Sequence, residues 1–173
     1  MESDLLKAVE VSGNRIEESF VISTDKNMLQ LEVIYEFLTH SHWAKGISKE
    51  TVAKSIEHSM CFGVFERLSE NQFKQVGFAR VITDFTTFAY LSDVFILEEY
   101  RGLDLSKKLM GVIMKHPDLQ GLRRWMLVTT YAHGLYEQFG FVTTKSPEKL
   151  MEIFVPNLYQ KEAELLSIAQ EIK

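Results

Sequence analysis

Arg101-Gly102-Leu103-Asp104-Leu105-Ser106-Lys107-Lys108 is the stretch whose residue types and spacing suit chemistry, and that chemistry is anion binding. An apolar strand from Asp93 to Leu97 runs through Glu98-Glu99-Tyr100 into this Gly-containing turn. The turn opens a helix in which Leu105, Leu109, Met110, Ile113 and Met114 recur at helical spacing. The first N–H groups of a helix have no partner within it and stand at the positive end of its dipole, so phosphate settles there. Lys107 and Lys108 in the first turn are unfavourable for an isolated helix, and a bound polyanion removes that penalty. An ordinary strand-to-helix turn carrying solvated lysines is the alternative that these residues alone leave open.

The rest of the composition narrows the class. A length of 173 residues favours one domain with a core that needs no staples. The net charge of −5, with no long basic run, argues against nucleic acid as a partner. A single cysteine, Cys61, excludes an intramolecular disulfide and points to a reducing compartment. No apolar run approaches the roughly 18 residues of a membrane span, and Glu2, Asp4 and Glu10 occupy the place of a basic leader. A cytoplasmic protein without a membrane partner is the expectation. No Gly-x-x-x-x-Gly-Lys-Ser/Thr or Gly-x-Gly-x-x-Gly run supports a P-loop or Rossmann nucleotide site.

Three segments are expected. Residues 1–19 form an extension of uncertain order, with partial helical spacing (Leu5, Leu6, Val9) before Gly13-Asn14-Arg15. Residues 20–155 form the main domain. It opens with a strand at Phe20–Ser23, then a helix carrying Leu29, Val33, Ile34, Phe37 and Leu38. A polar and aromatic loop from Thr39 to Gly46 leads to a second helix capped by Ser48, with Val52, Ile56 and Met60 on one face. Strands at Cys61–Phe65 and Val76–Ile82 form a hairpin with a loop longer than the tightest kinds, and a strand at Phe88–Leu97 delivers the chain to the turn. After helix 104–115, stopped by Pro117, come a buried strand at Trp125–Val128 and a short helix from Ala132 to Phe139 ended by Gly140. Strands at Phe141–Thr143 and Glu152–Val155 follow. Residues 156–173, with Leu158, Leu165, Ile168 and Ile172, are expected to pack on the domain as a terminal helix. This order indicates a mixed α/β sheet instead of a doubly wound parallel one.

The stretch Ile96 to Ser106 resembles the acyl-coenzyme A binding motif of the GCN5-related N-acetyltransferases, the GNAT superfamily. There a strand ending Val-x-Pro-Glu-x is followed by Arg-Gly-x-Gly-x-Gly or Ala and a helix. Arg101 and Gly102 match, while Glu98 stands for the proline, Asp104 for the second glycine and Ser106 for the third small residue. The Asp104 carboxylate is expected to cap its own helix, taking N–H groups that a pyrophosphate needs and setting negative charge beside it. A second block resembles the family's Asn-x-x-Ala-x-x-x-Tyr-x-x-x-Gly-Phe pattern. Ala132, Tyr136, Gly140 and Phe141 match it and Thr129 stands where Asn is common.

The resemblance implies an α/β (α+β type) GNAT fold: a mixed central sheet with splayed parallel strands, flanked by helices. It implies an acetyl-CoA-dependent N-acetyltransferase acting on a primary amine, of a small molecule or a protein, by direct transfer in a ternary complex. The thioester would lie between strands ending near Ile96 and Val128, held by the backbone of Phe95 and Ile96, where an N–H also polarises its carbonyl. Arg101, Gly102, Leu103, Asp104, Leu105 and Ser106 would hold the pyrophosphate, and Thr129, Ala132 and Tyr136 would complete the coenzyme site. Tyr136 would protonate the departing thiolate, since a phenol near pKa 10 stays protonated at neutral pH. Its alternative is a core tyrosine.

His42 and Trp43, in the loop between the first two helices, would meet the acceptor. Asp93, among Tyr90, Leu91, Val94 and Phe95, is the candidate base if burial raises its pKa; its alternative is a hydrogen-bonded aspartate at a strand bulge. Glu98 acting through water is a further option, and Cys61 as an acyl-carrying nucleophile has no visible His–acid support. His40 and His42 at i, i+2 lack a third ligand, so no metal is expected. A homodimer is among the expected assemblies. The competing class is a non-catalytic ligand- or partner-binding module whose pyrophosphate loop Asp104 has impaired.

Overall fold

A computed structural model of the chain describes residues 8–12 and 19–161. Six strands form one sheet in sequence order: β1 (Ala8–Ser12), β2 (Ser19–Ser23), β3 (Met60–Ser69), β4 (Gln72–Thr83), β5 (Phe88–Ile96) and β6 (Arg124–Met126). Neighbours run antiparallel except β5 and β6, which are parallel. Helices α1 (Leu31–His40) and α2 (Lys49–Glu57) precede β3, α3 (Leu105–Lys115) links β5 to β6, and α4 (His133–Glu137) follows β6.

Two apolar clusters sandwich the sheet. On one face Leu105, Leu109, Met110 and Ile113 of α3 meet Val76, Val81, Ala89 and Leu91, all buried. On the other, Ile34 and Leu38 of α1 and Val52 of α2 meet Cys61, Phe78 and Phe95. Each fully buried aliphatic or aromatic side chain of this kind contributes about 1.5–3 kcal/mol. The helices stop and start where the sequence dictates: Ser48 Oγ accepts the Thr51 N–H at 3.2 Å to cap α2, and Pro117 follows α3 directly after His116.

Two features of β5 shape the site. Phe78 pairs with Phe95 but Arg80 pairs with Ser92, so Asp93 and Val94 together oppose Ala79, and Asp93 takes a positive φ of 54°. This bulge turns the strand and re-aims its side chains. On its other edge β5 pairs with β6 only through Phe88, Ala89 and Tyr90, opposite Arg124, Trp125 and Met126. From Leu91 to Ile96 the β6 ladder is absent and the two parallel strands diverge, leaving main-chain groups of β5 facing a wedge-shaped opening.

Several sequence expectations are corrected. The strand expected through Val128 ends at Met126, and Val128 is 81% exposed because the chain has left the sheet. Phe141–Thr143 and Glu152–Val155 are not strands, and Ile153 is 99% exposed. A three-residue β6 that diverges at Leu127 offers them no ladder, and an apolar alternation cannot form a strand without a partner edge. The β3–β4 hairpin is tight, with Ser69 opposite Gln72. Near the N-terminus Ala8–Ser12 pairs with β2 as an edge strand, so the helical spacing read there does not hold over those residues. Of the expected terminal helix, residues 158–161 are helical and 162–173 lie outside the described residues.

Candidate active site

The chain leaves β5 through a 3-10 turn, Glu98–Tyr100, and reaches α3 over Arg101 to Asp104. Three bonds fix this path. Leu97 N–H donates to the Val76 carbonyl at 2.8 Å, Arg101 Nε donates to the Ile96 carbonyl at 3.4 Å, and the Tyr100 hydroxyl donates to Glu66 Oε2 at 2.6 Å. Lys74 Nζ donates to the same hydroxyl at 3.0 Å, so the turn is moored to the β3–β4 hairpin. Gly102 has φ +82° and open space where a Cβ would stand, which leaves its backbone accessible to a ligand.

Asp104 also lies in the left-handed region, at φ 57° and ψ 16°, and makes no side-chain cap. The expected capping by its carboxylate is therefore overturned. A capping side chain needs extended backbone angles to reach the N–H groups of the first turn, and left-handed angles do not provide them. The carboxylate instead meets Lys107 Nζ at 2.8 Å, and the hydrogen bond and charge of Lys107 hold its pKa below the usual range. The opening N–H groups of α3 thus receive no bond from the Asp104 carboxylate, and the charge of Lys107 in the first turn is neutralised locally.

The second block lies across the wedge. Thr129 Oγ1 accepts the Ala132 N–H at 3.0 Å, giving the acceptor role to threonine where the family commonly carries asparagine. Tyr136 on α4 is 9% exposed, its ring edge-on to Phe141 at 6.0 Å and packed in the α3 cluster. Burial pushes its pKa above the ordinary tyrosine value. Its hydroxyl has no hydrogen-bond partner among the described residues. Gly140, at φ +85°, ends the helix as expected.

The α1–α2 loop brings Trp43 to Asp93: the indole Nε1 donates to Asp93 Oδ1 at 3.3 Å. Asp93 also accepts from Arg80 Nε at 2.7 Å and Ser92 Oγ at 3.1 Å, and Arg80 donates onward to Ser59 Oγ at 3.1 Å. Arg80 escaped the sequence reading. Its signal was a lone cation inside the apolar run Gly77 to Ile82, a position that needs a buried partner. Phe95 is buried with its ring stacked on Phe37, centroids 3.8 Å apart and planes 9° apart. Ile96 lies opposite Gly77, where a Cβ would come within 2.5 Å of Ile96 Cδ1.

Other candidates fall elsewhere. Cys61 is buried, its thiol pushed up to about 11 by desolvation, and its Sγ faces the Ile56 carbonyl at 3.6 Å. It is an inert structural thiol. His40 Nδ1 bonds the Glu36 carbonyl at 2.8 Å while His42 packs edge-on to Trp43, so the two histidines do not converge. A cleft of about 720 Å³ runs between α1 and the 97–101 turn, with Glu36, Phe37, Leu97, Glu98 and Arg101 in its walls.

A mixed sheet with parted parallel strands, an uncapped helix start and a buried tyrosine across the gap define an acyltransferase architecture. Residues 57–143 match the family described as the acetyltransferase (GNAT) domain. A Gibberella zeae protein whose name places it among acetyltransferases is 32% identical over 129 residues, covering 64% of this chain and 72% of that one. A crystal structure from Xanthomonas campestris pv. campestris, described as belonging to the GNAT family, shares 49% identity and a TM-score of 0.76. The match covers 81% of this chain and 96% of that one. An acetyltransferase structure from Clostridium acetobutylicum, solved with acetyl-CoA, shares the fold at 12% identity and a TM-score of 0.57, over 79% of this chain and 96% of that one. The chain belongs to the GNAT acetyltransferase family.

Proposed function

We propose that this acetyltransferase takes its acyl group from acetyl-CoA and transfers it directly to a primary amine in a ternary complex. The observation that carries this reading is the pair of backbone stretches left open on either side of the 98–101 turn. The N–H groups that open α3 receive no bond from the Asp104 side chain, and the β5 edge beyond Tyr90 has no β6 partner. The first suits a diphosphate and the second an amide-bearing tether, so the residues present fit the coenzyme. When bound, the coenzyme supplies an activated acyl thioester.

The chain's own groups do the rest. Backbone N–H groups from Gly102 to Ser106 hold the diphosphate, with Arg101 beside them. Main-chain groups of Phe95 and Ile96 fix the tether, and an N–H there polarises the thioester carbonyl. Tyr136, kept protonated by burial, delivers its proton to the departing sulfur. Asp93 already accepts from Arg80, Ser92 and Trp43, so it serves as an anchor for the acceptor loop, and the amine's proton leaves to water at the open mouth. A reducing, cytoplasmic setting accords with the lone buried thiol of Cys61.

The reading is tested by mixing the protein with acetyl-CoA and a panel of primary amines, following free thiol and N-acetyl product. Thiol release that requires an amine, without acetylated protein when amine is omitted, is the expected result. Acetyl-protein formed from acetyl-CoA alone would contradict direct transfer. Coenzyme binding without release on any amine would support the non-catalytic module.

A further inference from the structure

We infer that Tyr100 is a positioning residue for the coenzyme: tied to Glu66 and Lys74 on the β3–β4 hairpin, it sets how tightly the turn that follows it holds the diphosphate. This rests on the acetyl-CoA reading above. Phe20 of β2 stands opposite Glu66 of β3, and Glu66 stands opposite Lys74 of β4. Directly opposed residues share a face of the sheet, so the three side chains form one row across neighbouring strands. Tyr100 lies across that row. Its ring meets the buried Phe20 edge-on at 6.2 Å, its hydroxyl donates to Glu66 Oε2 at 2.6 Å, and Lys74 Nζ donates to the hydroxyl at 3.0 Å. The same ammonium stands 5.0 Å from the ring centroid.

The turn beyond Tyr100 has little else to fix it. The Tyr100 and Arg101 N–H groups close the 3-10 turn on the Leu97 and Glu98 carbonyls at 3.0 and 3.1 Å. After them the N–H groups of Gly102, Leu103 and Asp104 have no hydrogen-bond partner among the described residues. Gly102 and Asp104 both lie in the left-handed region, at φ 82° and 57°. Unbonded backbone of this kind samples several conformations unless its ends are held, and a ligand that needs one of them binds more weakly in proportion to that conformer's population. Helix α3, starting at Leu105, holds one end. Tyr100 holds the other, two residues before Gly102, and a hydrogen bond to an ionised partner is stronger than a neutral one. Loosening that tether lowers the population of the turn that receives the diphosphate, and it leaves the reacting end of the coenzyme alone.

Acetyl-CoA affinity is measured by calorimetry, and KM and kcat by thiol release, on the full chain. Tyr100→Phe keeps the ring against Phe20 and is expected to weaken acetyl-CoA binding, and raise its KM, by about tenfold with kcat unchanged. Glu66→Ala, which removes the other end of the bond, gives the same loss. Glu66→Gln keeps an acceptor oxygen for the hydroxyl and stays within about threefold of wild type. Tyr100→Phe combined with Glu66→Ala binds no more weakly than either alone, because the two residues act through one bond. Unchanged affinity in Tyr100→Phe, losses that add in the double variant, or a fall in kcat at constant KM overturns the inference while the transferase reading stands. A wild type that binds acetyl-CoA but acetylates no amine contradicts the transferase reading and leaves the affinity pattern to decide the inference. A wild type that binds no acetyl-CoA overturns both.

Discussion

Tyr136→Phe removes one oxygen and leaves the ring in place, which makes it an informative perturbation of the proposed chemistry. The ring keeps its edge contact with Phe141 and its place in the α3 cluster. The hydroxyl has no hydrogen-bond partner among the described residues, so its loss orphans none of them. The expected stability change is about 0.5 kcal/mol or less, roughly 1–2 °C in Tm for a chain of this size. Turnover responds differently. A positioned general acid contributes about 10²–10⁴-fold, and a thiolate is a tolerable leaving group unaided, so the low end applies. A loss of about 100-fold in kcat, about 2.7 kcal/mol of barrier, is expected with acetyl-CoA affinity unchanged. Burial raises the Tyr136 pKa, so wild-type activity falls through its ionisation only above the ordinary tyrosine range, and the variant lacks that alkaline limb. The assay is thiol release against pH, with calorimetry for the coenzyme. Turnover within about threefold of wild type, at equal coenzyme affinity, would refute the role.

Three further outcomes follow from the packing and charge. Gly77→Ala sets a Cβ 2.5 Å from Ile96 Cδ1 and 2.9 Å from the Phe95 carbonyl oxygen, so β4 and β5 must shift apart. A loss of about 1–3 kcal/mol is expected in urea unfolding, and an unchanged midpoint would show that the β4–β5 pair yields freely. Asp93→Ala strands the Arg80 guanidinium, its side chain 15% exposed, and costs about 3–5 kcal/mol as the break of a buried pair. A double variant with Arg80→Met should recover part of that loss; no recovery would place the effect elsewhere. Asp84 accepts N–H bonds from Thr86, Thr87 and Phe88 and the Thr87 hydroxyl, which hold its pKa well below the usual carboxylate range. Its contribution is therefore present above the unfolded value of about 4 and is lost as pH falls through the folded one. Wild type should lose stability faster than Asp84→Asn between pH 5 and about 2, and parallel curves would contradict this.

The parts of the site that were legible in sequence are local. Arg101-Gly102 before an amphipathic helix, and Ala132, Tyr136 and Gly140 at fixed intervals, are each a short run whose geometry is set by its own backbone. Arg80 with Asp93 was not legible as a pair, because the bond joins residues 13 apart across neighbouring strands and depends on the β5 bulge. Asp104 shows the same limit at shorter range: its residue type suggests a cap, but its left-handed backbone directs the carboxylate to Lys107. The expected strands after α4 carried the right alternation, yet pairing requires a free neighbouring edge, and β6 ends before supplying one.

The central claim is that main-chain N–H groups from Gly102 to Ser106 grip a diphosphate with Asp104 turned aside. Titration of acetyl-CoA into the wild type and into Asp104→Gly, by calorimetry, measures it directly. Saturable binding to the wild type, changed less than about tenfold by the substitution, is the expected result. A silent wild type, with binding gained only in Asp104→Gly, would contradict it and return the chain to the impaired module.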